Sequence, residues 1–212
     1  MSTVAIIGAG PLGRWLALAA ARAGVHVLLE DVMPANLHHA QEALRQQLGP
    51  QKPAEQSDLV KGTGFSPYID PADATGASAP EGGFSENSPV TFVSTIEDAV
   101  RDADLAIDCV PDELESKLEI LWLLDRMAPP RTVLATPTTR LSIADLAACT
   151  YRPDKCVAIA QEASSLAGNP GARILLRTTS KTSPETVALL DSFWRRLGFT
   201  PVFAEETVVS EQ

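Results

Sequence analysis

Val4-Ala5-Ile6-Ile7-Gly8-Ala9-Gly10-Pro11-Leu12-Gly13, followed by an Ala- and Leu-rich run and then by His26-Val27-Leu28-Leu29-Glu30-Asp31, is the stretch that decides the fold. Val4 to Gly8 is a short apolar run ending in glycine, and Leu12 to Ala23 has helical composition, so a strand, a tight turn and a helix follow one another. Gly24 stops that helix. His26 to Asp31 reads as a second strand, and Pro34 opens a second helix over Ala35 to Leu48. Strand, helix and strand in this order make the βαβ unit of a parallel sheet.

The glycines sit in the turn of that unit at the spacing G-x-G-x-x-G. Gly8 permits the tight turn, Gly10 lets the backbone approach a pyrophosphate, and Gly13 lets helix and strand pack closely. The N–H groups and the positive helix end around Pro11, Leu12 and Gly13 favour an anion, although Pro11 itself has no N–H to give. Asp31 lies about 20 residues beyond Gly10, where a carboxylate hydrogen-bonds adenosine ribose hydroxyls. A 2′-phosphate would face that charge, so the expected cofactor is NAD(H) rather than NADP(H). The plain alternative is that Glu30 and Asp31 are merely a solvated strand end.

Working outward, Gly49 to Pro89 is dominated by Pro, Gly, Ser, Asp and Ala without lasting periodicity, and reads as an irregular insertion, either a lid-like element or a poorly ordered excursion. Strands are expected at Val90 to Val93, Leu105 to Val110, Thr132 to Ala135, Cys156 to Ala160, Arg173 to Thr179 and Thr200 to Ala204. Helices are expected at Ile96 to Arg101 capped by Thr95, Asp112 to Met127, Ser142 to Ala148 and Ser183 to Leu197. Alternating strands and helices predict a single α/β domain over residues 1–204, a Rossmann-type doubly wound, mostly parallel sheet, with a tail at 205–212.

Composition limits the partners. The net charge of -10 argues against nucleic acid or an anionic membrane, both of which select basic surfaces. No apolar run approaches the length of a membrane helix, and no basic stretch precedes the first strand as in a signal peptide. Cys109, Cys149 and Cys156 are scattered and odd in number, so reduced thiols in a cytoplasmic protein are expected, with no disulfide framework and no metal site.

With these residues placed, the chain resembles the NAD-binding domain of the L-3-hydroxyacyl-CoA dehydrogenase family. The likeness continues through Ser94-Thr95-Ile96-Glu97-Asp98-Ala99-Val100 and Ala103-Asp104-Leu105-Ala106-Ile107-Asp108. The resemblance implies that Val110, Asp112 and Lys117 lie against the cofactor, Asp112 and Lys117 near its nicotinamide half; an N-terminal helix acid and a surface lysine are the plain alternative. The family's Ser-Asn-Thr-Ser-Ser-Leu appears as Thr136-Pro137-Thr138-Thr139-Arg140-Leu141, which puts Thr139 on the substrate-binding serine and Arg140 where the family has a second serine. A hydroxy acid, a keto acid or an acyl-CoA is therefore the implied substrate. Arg140 offers a carboxylate a bidentate partner, or is a solvated arginine, or pairs with Asp145.

The family's catalytic histidine falls on Ala160 and its partner glutamate near Leu176, and no histidine follows His39. Of the neighbouring residues Gln161 cannot act as a base, whereas Glu162 can if burial raises its pKa, so Glu162 and the Thr139 hydroxyl are the catalytic candidates. The family's helical second domain, which completes the substrate cleft and the homodimer, would begin where this chain stops. An NAD-dependent oxidoreductase and a non-catalytic NAD(H)-binding module both remain open.

Overall fold

The β1 strand, Thr3–Ile7, is an inner strand of the one sheet in the computed structural model, which describes residues 1–48, 88–160 and 171–206. The insertion expected at 49–89, apart from Ser88 and Pro89, lies outside the described residues, as do Glu162 and the end of the expected tail. Strands β2 (His26–Glu30), β3 (Val90–Val93), β4 (Leu105–Asp108), β5 (Val133–Pro137), β6 (Cys156–Ile159), β7 (Arg173–Thr178) and β8 (Thr200–Glu205) join β1 in one sheet of order β3-β2-β1-β4-β5-β6-β7-β8. All neighbours pair parallel except β6 with β7, which are antiparallel. The Rossmann-type sheet read from the sequence is the observed one.

Helices cover both faces, as a parallel sheet requires. On one side α1 (Pro11–Arg22), α2 (Pro34–Leu48) and α6 (Pro184–Arg196) bury Leu16, Ala17, Leu44, Leu190 and Trp194 against Ile6, Leu29 and Ile107. On the other α3 (Ile96–Val100), α4 (Leu114–Met127) and α5 (Ile143–Ala148) bury Val100, Leu121, Leu124 and Leu146 against Ala5, Ile7 and Ala106. Alternate residues of β1 thus serve opposite cores, the period-2 consequence of a strand.

The helix ends follow local chemistry. The hydroxyls of Thr95, Ser142 and Ser183 accept from the backbone N–H of Asp98, Asp145 and Thr186 at 3.1, 3.2 and 3.2 Å. Gly24 ends α1 at φ 72°, and Arg196 of α6 donates to the Ala23 and Gly24 carbonyls, both at 2.7 Å, where the helix dipole favours a cation.

Three boundaries differ by two residues from the sequence reading. Strand β4 stops at Asp108, two residues before the expected Val110, because the Asp108 carboxylate folds back onto the Val110 N–H at 2.9 Å. Helix α4 starts at Leu114 rather than Asp112, since Pro111 places a turn there in which the Glu113 N–H donates to the Pro111 carbonyl. Strand β5 runs on to Pro137, which is tolerated because pairing with β4 has ended at Ala135 and Pro137 faces only Ile159 of β6.

Candidate cofactor and substrate site

The strand order reverses between β1 and β4, and in open α/β sheets the crevice beyond the carboxyl ends of such strands takes the ligand. A cavity of about 460 Å³ opens there, lined among others by Gly8, Gly10, Pro11, Glu30, Asp31, Val110 and Pro111. Each glycine has its own reason to be glycine. Gly8 holds φ 105°, and a Cβ on it would lie 3.1 Å from the Cys109 carbonyl. A Cβ on Gly13 would lie 1.8 Å from the Gly8 oxygen, so contact between β1 and α1 leaves no room for one. A Cβ on Gly10 meets nothing within 4 Å, so the space in front of it is free for something other than protein.

Helix α1 begins at that space without a side-chain cap, and its first intrahelical bond runs from the Arg14 N–H to the Gly10 carbonyl at 3.0 Å. Among the described residues the N–H groups of Gly10, Leu12 and Gly13 are therefore unclaimed, as the first donors of a helix are. Donors, helix dipole and open space together suit a pyrophosphate, so the residues fit the dinucleotide that the motif implies.

The acids at the end of β2 are not a solvated strand end: Glu30 is 4% exposed and Asp31 9%. Asp31 accepts the Ala9 and Met33 N–H groups at 2.8 Å each and the Asn36 side-chain amide at 3.1 and 3.2 Å, which ties the glycine loop to the start of α2. Burial, and then the charge of Asp31, push the Glu30 carboxyl from its ordinary 4.5 up to about 7. Below 4.5 the group is protonated whether the chain is folded or not; as pH rises through 7 the folded state pays for a buried charge and stability is lost. That loss is on the order of 3 kcal/mol at most. Glu30→Met is therefore expected to raise the unfolding temperature more at pH 8 than at pH 5, measured by thermal denaturation. An equal change at both values would refute the buried charge.

At the adjoining ends of β4 and β5 lies a buried polar network. Asp108 and Lys117 are both fully buried, with Nζ 3.1 Å from Oδ2, and Oδ2 also accepts the Thr136 hydroxyl at 2.8 Å. Burial raises the Asp108 pKa, against the pull of Lys117, the Val110 N–H and the Thr136 hydroxyl. Among the described residues Nζ makes no hydrogen bond beyond this ion pair. Lys117 is thus no surface lysine. It stands beneath the crevice and not in its lining, because α4 turns it inward with Leu121 and Leu124.

The turn after β5 carries the other candidates. Thr139 and Arg140 are exposed. The Thr139 N–H reaches the Asp112 carboxylate at 3.4 Å, and Arg140 donates to the Asp112 backbone carbonyl at 3.0 Å rather than to Asp145. Asp112 is therefore a loop residue facing this turn and not a helix acid, and among the described residues its buried Oδ1 has no hydrogen-bond partner. The structure brings Asp112, Thr139 and Arg140 together, and Gly8, Gly10, Pro11, Asp31 and Val110 together in the cavity, with Asp108 bonded both to the Val110 loop and to β5. Ala160 sits where β6 meets β7, its N–H donating to the Leu175 carbonyl at 2.9 Å, and the buried Leu176 pairs with Ile159. The described parts of these two strands carry no carboxylate and no imidazole.

Sequence reasoning missed what braces the turn. Arg177 donates to the carbonyls of Thr138 and Leu141 at 2.9 and 3.1 Å and pairs with Glu206 at 3.1 Å. Glu206, assigned to a tail, instead accepts the Ser142 hydroxyl and the Ala144 N–H at 3.1 and 2.9 Å, closing the start of α5. Nothing in the local sequence marks either residue, because their partners lie 29 to 64 positions away.

A Rossmann sheet, a glycine loop with a free Cβ position and two buried acids at the end of β2 define an NAD-binding domain. Residues 3–161 match the family described as 3-hydroxyacyl-CoA dehydrogenase, NAD binding domain, and the chain belongs to that family. It is 28% identical over 97% of its length to 5-formyl-3-hydroxy-2-methylpyridine 4-carboxylate 5-dehydrogenase of Mesorhizobium japonicum, covering 58% of that protein. It is 26% identical over 98% of its length to an L-carnitine dehydrogenase of Pseudomonas, covering 56%. The crystal structure of (S)-3-hydroxybutyryl-CoA dehydrogenase from Ralstonia eutropha shares the fold at a TM-score of 0.72 and 20% identity, over 98% of this chain and 64% of that one. The chain spans about half the length of the curated relatives it matches. No described helix is long and apolar enough to cross a membrane.

Proposed function

We propose that this chain is the cofactor-binding part of an NAD(H)-dependent oxidoreductase that acts on a small hydroxy or keto acid or a hydroxyacyl-CoA. The observation that carries the reading is the cavity at the β1–β4 switch, with its unclaimed N–H donors and the two acids beside it. Bound there, the nicotinamide supplies or accepts a hydride. The chain's own residues hold the pyrophosphate at Gly10 to Gly13, exclude a 2′-phosphate with the acids of β2, and present Thr139 and Arg140 to the substrate. The relatives named for carnitine and for a pyridine carboxylate act on molecules that carry a carboxylate, in keeping with an arginine at position 140. The proposal extends to a cytoplasmic protein working as a homodimer.

A second reading, a non-catalytic NAD(H)-binding module, is favoured by Ala160 and Leu176, which put no base where the family places one. A base taking the hydroxyl proton is what hydride transfer from an alcohol needs, and Glu162 is the nearby candidate. The experiment is NADH titration followed by turnover of a 3-oxoacyl-CoA and of small keto acids, with Arg140→Ala and Glu162→Gln beside the wild type. The enzyme reading expects turnover that Glu162→Gln removes, and acid-induced thermal stabilisation in the presence of NADH that Arg140→Ala abolishes. Binding of NADH without turnover of any of them selects the module, and stabilisation by acids that persists in Arg140→Ala overturns the role of that arginine.

A further inference from the structure

Helix α4 is apolar on two sides. Its inner side buries Leu121 and Leu124 against the sheet. Its outer side carries Leu114, Leu118 and Trp122, which at a spacing of four form one row, and Leu114 and Trp122 are 51% and 50% exposed. Tyr151, 93% exposed, stands beside the row, because its N–H donates at 2.9 Å to the carboxylate of Asp125, three residues beyond Trp122. A run of large exposed apolar side chains marks a surface that meets a partner. The row is also held rigid. The Arg126 guanidinium lies 4.7 Å from the centre of the Trp122 ring, and Arg152 ties the turn of Tyr151 to the Asp125 carboxylate and to the Ala128 and Pro129 carbonyls at the end of α4. Little side-chain freedom is left to lose on docking, and Trp, Tyr and Arg are the residues that carry most binding energy in protein interfaces.

The charges beside the row say what the partner is. Glu115 stands toward its amino end and Arg126 at its carboxyl end, both exposed, so neither a wholly acidic nor a wholly basic surface matches the two. An antiparallel copy of α4 does. A two-fold axis between Leu118 and Trp122 lays Leu118 of each copy against Trp122 of the other, and brings each Glu115 beside the opposite Arg126. On the helical period both charges fall on the same flank of the row, and antiparallel helices lay like flank on like flank. We infer that the outer face of α4, with Tyr151 beside it, is the contact between two copies of this chain. The inference rests on the homodimer of the proposed function, assigns it a face, and does not involve the cofactor cavity.

The test is sedimentation equilibrium of the full chain over a concentration series, for the wild type, Trp122→Glu, Glu115→Arg, Arg126→Glu and an equal mixture of the last two. Thermal unfolding of the same samples checks that the variants fold, and NADH titration reports on the cofactor reading separately. The wild type is expected to pass from monomer to dimer as concentration rises, and Trp122→Glu to weaken the dimer by at least about 100-fold. Glu115→Arg and Arg126→Glu each leave a face of one sign, so each alone is expected to weaken it by roughly 10-fold. In the mixture every reversed charge meets its opposite, and association is expected to return close to the wild-type strength. A charge that merely stabilises its own helix gives no such rescue. The inference is overturned by a wild type that stays monomeric throughout, which leaves the row to a different protein, or by a dimer that Trp122→Glu leaves intact, which places the contact on another face. It is equally overturned by a mixture that associates no better than either variant alone.

Discussion

Gly10→Val is expected to leave the domain folded and to remove NADH binding, whereas Gly13→Ala, a smaller change three residues on, is expected to damage the fold itself. At Gly10 the backbone has φ -64° and ψ -176°, which any residue adopts, and a Cβ there meets no protein atom within 4 Å. The valine side chain therefore intrudes only on the place of the pyrophosphate. A loss of at least about 100-fold in affinity, about 2.7 kcal/mol, is expected by fluorescence titration, with little change in the unfolding temperature. At Gly13 the added methyl collides with the Gly8 carbonyl at 1.8 Å, and a backbone oxygen in a tight turn cannot swing aside as a flexible side chain can. Helix α1 must lift from β1, at a cost on the order of 3 kcal/mol, or roughly 10 °C in unfolding temperature. Wild-type NADH affinity in a folded Gly10→Val protein would place the cofactor elsewhere.

The contrast shows which parts of the structure are written locally. The turn at Gly8 to Gly13, the stop at Gly24 and the caps at Thr95, Ser142 and Ser183 each depend on residues within a few positions, and each is legible in the sequence. Asp31 was legible as an acid at the end of β2, but not that Asn36 and the loop amides fill its acceptor sites. That arrangement exists only after β1, β2 and α2 have come together. The Arg177–Glu206 brace is illegible for the same reason, being made of side chains far apart in the chain. Lys117 left a signal that went unused: it stands four and seven residues before Leu121 and Leu124, on the apolar stripe of α4. A lysine on such a stripe needs a buried acid, and Asp108, the lone charge in the apolar strand β4, is that acid.

That pair carries the other large effect. Lys117→Met removes one partner of an ion pair whose two side chains are both fully buried, and Asp108→Asn removes the other. Each single change leaves an uncompensated buried charge and is expected to cost about 3–5 kcal/mol in denaturant unfolding. The double variant is expected to recover most of this, because the desolvation of both charges disappears together and the asparagine amide still serves the Val110 N–H and the Thr136 hydroxyl. The pH dependence separates the charge from mere packing. In Lys117→Met the raised Asp108 carboxyl loses the ammonium that pulls it down, so its folded pKa rises further. A carboxyl with a raised folded pKa favours folding where it is protonated, and Lys117→Met should regain stability as pH falls, while the double variant should not. Single changes that cost less than about 1 kcal/mol, or costs that simply add in the double variant, would show that the charges do not hold each other. Asp108 also anchors the Val110 loop and Thr136 of β5, so the ion pair supports the end of β4 on which both the cofactor cavity and β5 lean.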